Sequence, residues 1–147
     1  MGWTADIHAA VKARLLAQLA LIDAAYTEAD VEWPGTPPHF RVDNRADWVR
    51  LDIAVQGVNP AAVAGGSERI EGTAQVSVFV TSQMGVDIAL RASTLADGAR
   101  AVFPAGLNLT AGGRALRFGT PSVAGHITED DGTQHVPVEC PFYLYTN

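Results

Sequence analysis

The sequence predicts an α+β domain: a single mainly antiparallel sheet with a long β-hairpin and two helices packed on one face, in the order α-β-β-α-β-β. Three observations carry that expectation. Residues 4–26 and 85–103 repeat apolar side chains at spacings of three and four, the period of a helix that buries one stripe. Residues 48–57 and 67–85 alternate apolar and polar side chains, the period of a strand with one buried face. Two more alternating runs, 114–127 and 135–145, are separated by Asp131-Gly132, a strong signal for a tight hairpin turn.

Each element follows from its own residues. In 4–26 the stripe is Ile7, Val11, Leu15, Leu19, Ile22 and Tyr26, with Thr4 placed to cap the first turn and Asp6 suited to its positive dipole end. Three prolines in residues 31–40 exclude a regular element there. In the first strand Val49, Leu51, Ile53 and Val55 alternate with Arg50, Asp52, Ala54 and Gln56. A loop over 58–67, punctuated by Asn59-Pro60 and Gly65-Gly66, is longer than hairpins usually use. The strand after it sets Ile70, Ala74, Val76, Val78 and Val80 on one face and Arg69, Glu71, Thr73, Gln75, Ser77 and Thr81 on the other. At about 3.3 Å per residue it would stretch roughly 45–50 Å, more than twice the usual length.

The remaining elements complete the core. Ile88, Ala92, Leu95, Ala99 and Val102 give 85–103 its stripe. Gly98 weakens that helix by about 1 kcal/mol relative to Ala, and Pro104 with Gly106 ends it. The run 114–127 breaks at 119–121. In the last run Val136, Val138, Cys140, Phe142 and Leu144 share the core face. Pro137 and Pro141 donate no ladder hydrogen bond, which predicts an edge or bulged strand. Val76, Val78, Leu51 and Ile53 are expected to pack against Leu15, Leu19 and Leu95.

The totals bound the class. A chain of 147 residues is one domain, 1–147, able to bury roughly two-thirds of its unfolded surface. Hydrophobic content of 48% and charged content of 18% belong to a packed protein. A net charge of −6 argues against binding nucleic acid by phosphate neutralisation. One cysteine, Cys140, excludes an intramolecular disulfide. No stretch reads as a signal peptide or reaches the ~20 apolar residues of a bilayer span. The expectation is a soluble intracellular domain, or one released by lysis.

Chemistry is sparse. His8, His39, His126 and His135 show no ligand spacing; His126 and His135 could meet across the last hairpin, but Cys140 should face the core and His135 away from it, so no metal is expected. Glu129, Asp130 and Asp131 precede Gly132 and read as a solvated turn, without the offsets of a calcium loop. Ser67 lacks a nucleophile elbow, and 110–114 is Gly-rich but lacks the Lys-Ser/Thr pair of a phosphate loop. Trp33 and Trp48 read as anchors at the sheet margins, where an indole buries area and keeps its N–H wet. Neither a catalytic residue nor a cofactor is expected.

The order of these pieces resembles the tail terminator proteins of long-tailed bacteriophages, the group that includes minor tail protein U. The resemblance spans roughly residues 31–145: Trp33-Pro34, "WVRLDIAVQG", the loop, "ERIEGTAQVSVFV", "LADGARAVF", "LRFGTPSV" and "VECPFYL". It implies a structural virion protein without a catalytic site. In the virion tail and neck, a homo-hexameric ring ends growth of the tube of major tail protein and meets the head-tail connector or stopper. DNA passes through its lumen without specific binding, which the acidic balance suits; no membrane is involved, and assembly takes place in the host cytoplasm. Subunits of such a ring meet head to tail through two different patches. The overlong hairpin is a candidate for one of them, with Asn59, Pro60, Val63, Arg69, Glu71 and Gln75 as contacts. Two rivals stay open: another neck or tail ring component, such as a stopper, connector or tube subunit, and a small cellular ligand-binding or enzymatic α+β domain.

Overall fold

The computed structural model describes residues 2–35, 46–60, 68–83 and 85–146. Helix α1 occupies Trp3–Ala17, shorter than the expected 4–26. At Gln18 the backbone leaves α geometry (φ −118°, ψ 17°), and the Gln18 N–H is shared by the carbonyls of Arg14 and Leu15. The chain then makes single 3-10 turns at Leu19–Leu21 and Glu28–Asp30. The apolar stripe survives the change of pitch, because Ile7, Val11, Leu15, Leu19 and Ile22 are all buried. Spacings of three and four do not separate an α turn from a 3-10 turn over so few residues.

Eight strands form one sheet: β1 (Val31–Glu32), β2 (Asp47–Pro60), β3 (Glu68–Val80), β4 (Asn108–Ala111), β5 (Arg114–Phe118), β6 (Ser122–Val123), β7 (Ile127–Thr128) and β8 (Gln134–Tyr145). Their order is β1-β2-β3-β8-β5-β4, with β6 and β7 also paired to β8. The β1–β2 pair is parallel and the others are antiparallel, so the sheet is mixed. β1 falls in the segment where prolines exclude a regular element; it escapes them by ending before Pro34, with only Val31↔Val49 and Glu32↔Arg50 in register. β4 has no alternating run long enough to announce itself. It is defined by its return through Gly112 and Gly113, both at positive φ (57° and 78°), a conformation glycine adopts without strain.

The length of β3 is accounted for inside the chain. It pairs with β2 from Glu68 to Val80 and with β8 from Arg69 to Val80. Its core-facing side chains Ile70, Ala74, Val76, Val78 and Val80 are all buried. It stops at Val80, short of the expected 85. A register shift between Val55 and Gly57 marks a bulge in β2, which adds twist to the distal half of the hairpin.

β8 is a central strand, which corrects the edge assignment drawn from its prolines. Gly119 N donates to Pro141 O (2.9 Å) and Ala124 N to Pro137 O (2.9 Å). Both prolines therefore turn their donor-less nitrogens toward β5, β6 and β7, because a strand residue directs its N and O to the same side. On that side the partner strand is broken into three pieces, interrupted opposite Pro141 and again opposite Pro137. The missing donors fragment a neighbouring strand instead of placing β8 at an edge.

Helix α2 (Ile88–Val102) is capped by the Asp87 side chain, which accepts from Leu90 N at 3.0 Å. Arg14 Nε donates to Val102 O at 2.8 Å, tying α1 to the carbonyl end of α2. Both helices cover one sheet face. Leu15, Leu19 and Leu95 share one buried cluster with Leu51, Val76, Val78, Val138 and Cys140, while Ile53 at the margin is half-buried.

Candidate functional site

The other sheet face has no helix over it among the described residues, and its side chains form rows across β2, β3 and β8. At the hairpin end Arg69 stands opposite Asn59 and Tyr145, and Glu71 opposite Gly57 and Tyr143. Arg69 Nε lies 2.8 Å from Glu71 Oε1, and its guanidinium sits 4.6 Å from the Tyr143 ring centroid. Tyr143 meets Tyr145 edge-on at 5.7 Å. Gln75, opposite Asp52 and Glu139, donates to Ser77 Oγ at 3.0 Å. Arg69, Glu71 and Gln75 thus lie on one face, as expected from their alternation. The side chains of Asn59 and Pro60, and all of Val63, lie outside the described residues.

Two shallow depressions follow this face. One of about 340 Å³ lies between Gln56, Arg69, Thr73, Pro141 and Tyr143. The other, about 260 Å³, lies between Pro34, Asp52, Gln56, Gln75 and Glu139. Both are open, unlike the enclosed clefts that hold small ligands. Their form suits contact with another macromolecular surface.

The opposite end of the same face carries an aromatic ladder that the sequence reading missed. Trp48, Phe79 and His135 occupy facing positions on β2, β3 and β8. Their rings stack at centroid distances of 5.1 and 4.3 Å, and Arg50 lies 5.4 Å from the Phe79 centroid. Trp48 and Phe79 are buried although they point away from the helices. The available signal was parity: each falls on the polar phase of its own strand. Trp33 sits apart, half-buried beneath Lys12 Nζ at 5.3 Å.

The remaining polar groups are structural. Arg91 on α2 bridges Asp23 (2.5 Å) and Asp47 (3.1 Å), and Tyr26 donates its hydroxyl to Asp47. The guanidinium hydrogen bond holds Asp23 below the usual carboxylate range, and burial beside Asp47 pushes Tyr26 up. Cys140 is buried and pushed up to about 12 by desolvation and by Glu139, so its thiol stays protonated and acts as a small apolar group. His126 Nε2 lies 3.2 Å from Ser93 Oγ on α2, whereas His135 stacks on the other face of the sheet. No group of three metal-binding side chains occurs among the described residues. No described helix is long and apolar enough to cross a membrane. Asp131 and Gly132 do form the last turn: Gly132 has φ 85°, and Glu129 and Thr133 close the loop through Glu129 N to Thr133 O at 2.9 Å.

Comparison with known proteins gives these surfaces a context. One solved chain shares 24% identity and a TM-score of 0.70, over 98% of this chain and 96% of its own length. A chain of the virion of a native gene transfer agent particle shares 14% identity and a TM-score of 0.62, over 98% of both chains. No curated protein sequence matches. The family model for phage tail terminator proteins, a family of structural virion components and not of enzymes, matches residues 6–142. With nearly its whole length matched by that model, the chain belongs to the phage tail terminator protein family.

Proposed function

We propose that this chain forms a homo-hexameric ring at the head-proximal end of the tail, where it ends tube polymerisation and joins the tail to the head connector. The family match over residues 6–142 carries the reading. The one-sided architecture supports it: helices cover one sheet face, while the other presents Arg69, Glu71 and Gln75 beside broad, open depressions. The reading leaves the tube of major tail protein on one side of the ring and the connector or stopper on the other. DNA crosses the lumen without specific contacts, consistent with a net charge of −6. Asn59, Pro60 and Val63 at the hairpin end, with Arg69, Glu71 and Gln75 along β3, are the proposed contacts of the assembly.

Replacing residues 61–66, beyond the last β2–β3 pair Pro60↔Glu68, with a Gly-Asn turn tests the hairpin's part in this reading. The expected product is a folded chain that no longer closes rings, and a phage carrying it should make overlong tails that fail to join heads. Normal tails on infectious particles in electron micrographs would exclude the hairpin as the assembly element.

A further inference from the structure

Among the described residues, the sheet ends on two open edges. β2 is a long strand, yet its outer neighbour among the described residues is β1, which reaches only Val49 and Arg50. The opposite end of the strand order is β4, paired on one side only. An edge of this kind presents unpaired N–H and C=O groups, a template for a further strand.

The hydrogen-bond phase identifies the groups that face outward. Thr81 N donates to Ala46 O at 2.9 Å, which continues the β2–β3 register one step beyond Asp47↔Val80. Bonded and non-bonded pairs alternate along an antiparallel ladder. The even-numbered residues of β2 up to the bulge therefore bond β3; the Glu32↔Arg50 step of the parallel β1 pairing takes up the Leu51 N–H, and Ile53 and Val55 direct their main-chain groups outward beyond it. On β4, Phe118 N donates to Leu107 O at 2.9 Å, so Leu109 and Ala111 bond β5 while Asn108 and Thr110 face outward.

The two edges match in side-chain pattern. On the helix-covered face, β2 offers half-buried Ile53 and Val55, and β4 offers half-buried Leu109 and buried Ala111. On the open face, β2 carries exposed Ala54 and Gln56, and β4 carries exposed Asn108 and Thr110. Joining them as a parallel pair, in which an outward-bonded residue stands opposite one bonded to its own sheet, would place apolar against apolar and polar against polar, and would complete the burial of Ile53, Val55 and Leu109. Four residues of β4 are enough to span residues 52–55.

We propose that residues 52–55 of β2 pair in parallel with β4 of a second copy of this chain, so that one sheet runs on into that of the next subunit. Because the two edges differ, the contact is head to tail and can close into a ring. This inference rests on the ring reading and names the strands that make its interface.

The test uses the full chain, first by amide hydrogen exchange in the assembled and monomeric forms. Amides of Ile53, Val55, Asn108 and Thr110 should exchange roughly tenfold or more slowly in the ring. Two edge variants, Val55→Pro and Thr110→Pro, each remove one outward donor and no bond among the described residues. Each alone should melt like the wild type and stay monomeric. Mixed, they should form a one-to-one heterodimer, since each retains the edge that the other has lost; misfolding would not produce that result. A ring whose edge amides exchange as fast as in the monomer overturns the edge pairing and leaves the ring reading standing. So does a Thr110→Pro chain that assembles like the wild type. A wild-type chain that never assembles overturns both.

Discussion

Gly98 shows how one missing methyl group sets the approach of two elements. A Cβ there would lie 2.4 Å from Leu21 O and 2.6 Å from Ile22 Cα. Helix propensity alone would make Gly98→Ala a gain of about 1 kcal/mol. Overlap with rigid backbone outweighs it, so the variant should be less stable by about 1–3 kcal/mol in a denaturant titration. Arg91 is the comparable case in electrostatics, since it is the cation shared by Asp23 and Asp47, the carboxylate that accepts from Tyr26. Arg91→Ala should cost about 1.5–3 kcal/mol at neutral pH, the range for hydrogen bonds to charged groups. The folded-state pKa of Asp23 is depressed, so its contribution is present above the unfolded value of about 3.9 and is lost as the pH falls through the folded one. The difference between wild type and variant should therefore shrink below about pH 4, as chemical denaturation across pH would read.

At the scale of elements, alternation along β3 decides what lies inside. Val78 is wholly buried between β2 and β8, opposite Val49 and Val136. Val78→Asp would bury an unpaired carboxylate at a cost of several kcal/mol, against a typical total of about 5–15. Loss of soluble, cooperatively melting protein is the expected outcome; a normally melting variant would mean that the strand faces are reversed. Strands and helices with strong periodicity were legible for this reason: Val76, Val78, Leu95 and Leu144 have few places to go but one core. What stayed hidden was decided by partners. Pro137 and Pro141 declared their missing donors but not the direction in which those donors are missing. β1 and β4 are held by register with neighbours, and two to four residues carry no period of their own. The Trp48–Phe79–His135 ladder likewise exists only once three strands are aligned.

For the whole molecule, the described residues divide the sheet into a helix-covered face and an open face. Every buried aliphatic of β3 serves the core, and the polar phase from Arg69 to Gln75 is left partly exposed. The sequence made that phase readable in Arg69, Glu71 and Gln75, because alternation sorts residues by face without any knowledge of partners. It could not tell that β3 stays within its own sheet, since that depends on β8 pairing along the same residues. The proposed role, ending a tube, is read out by electron microscopy of tail tubes grown from the major tail protein with and without the purified chain. With it, tubes should stop elongating and carry one ring of this protein at a single end. Tubes that elongate unchecked in its presence, or that incorporate it along their length, would contradict it.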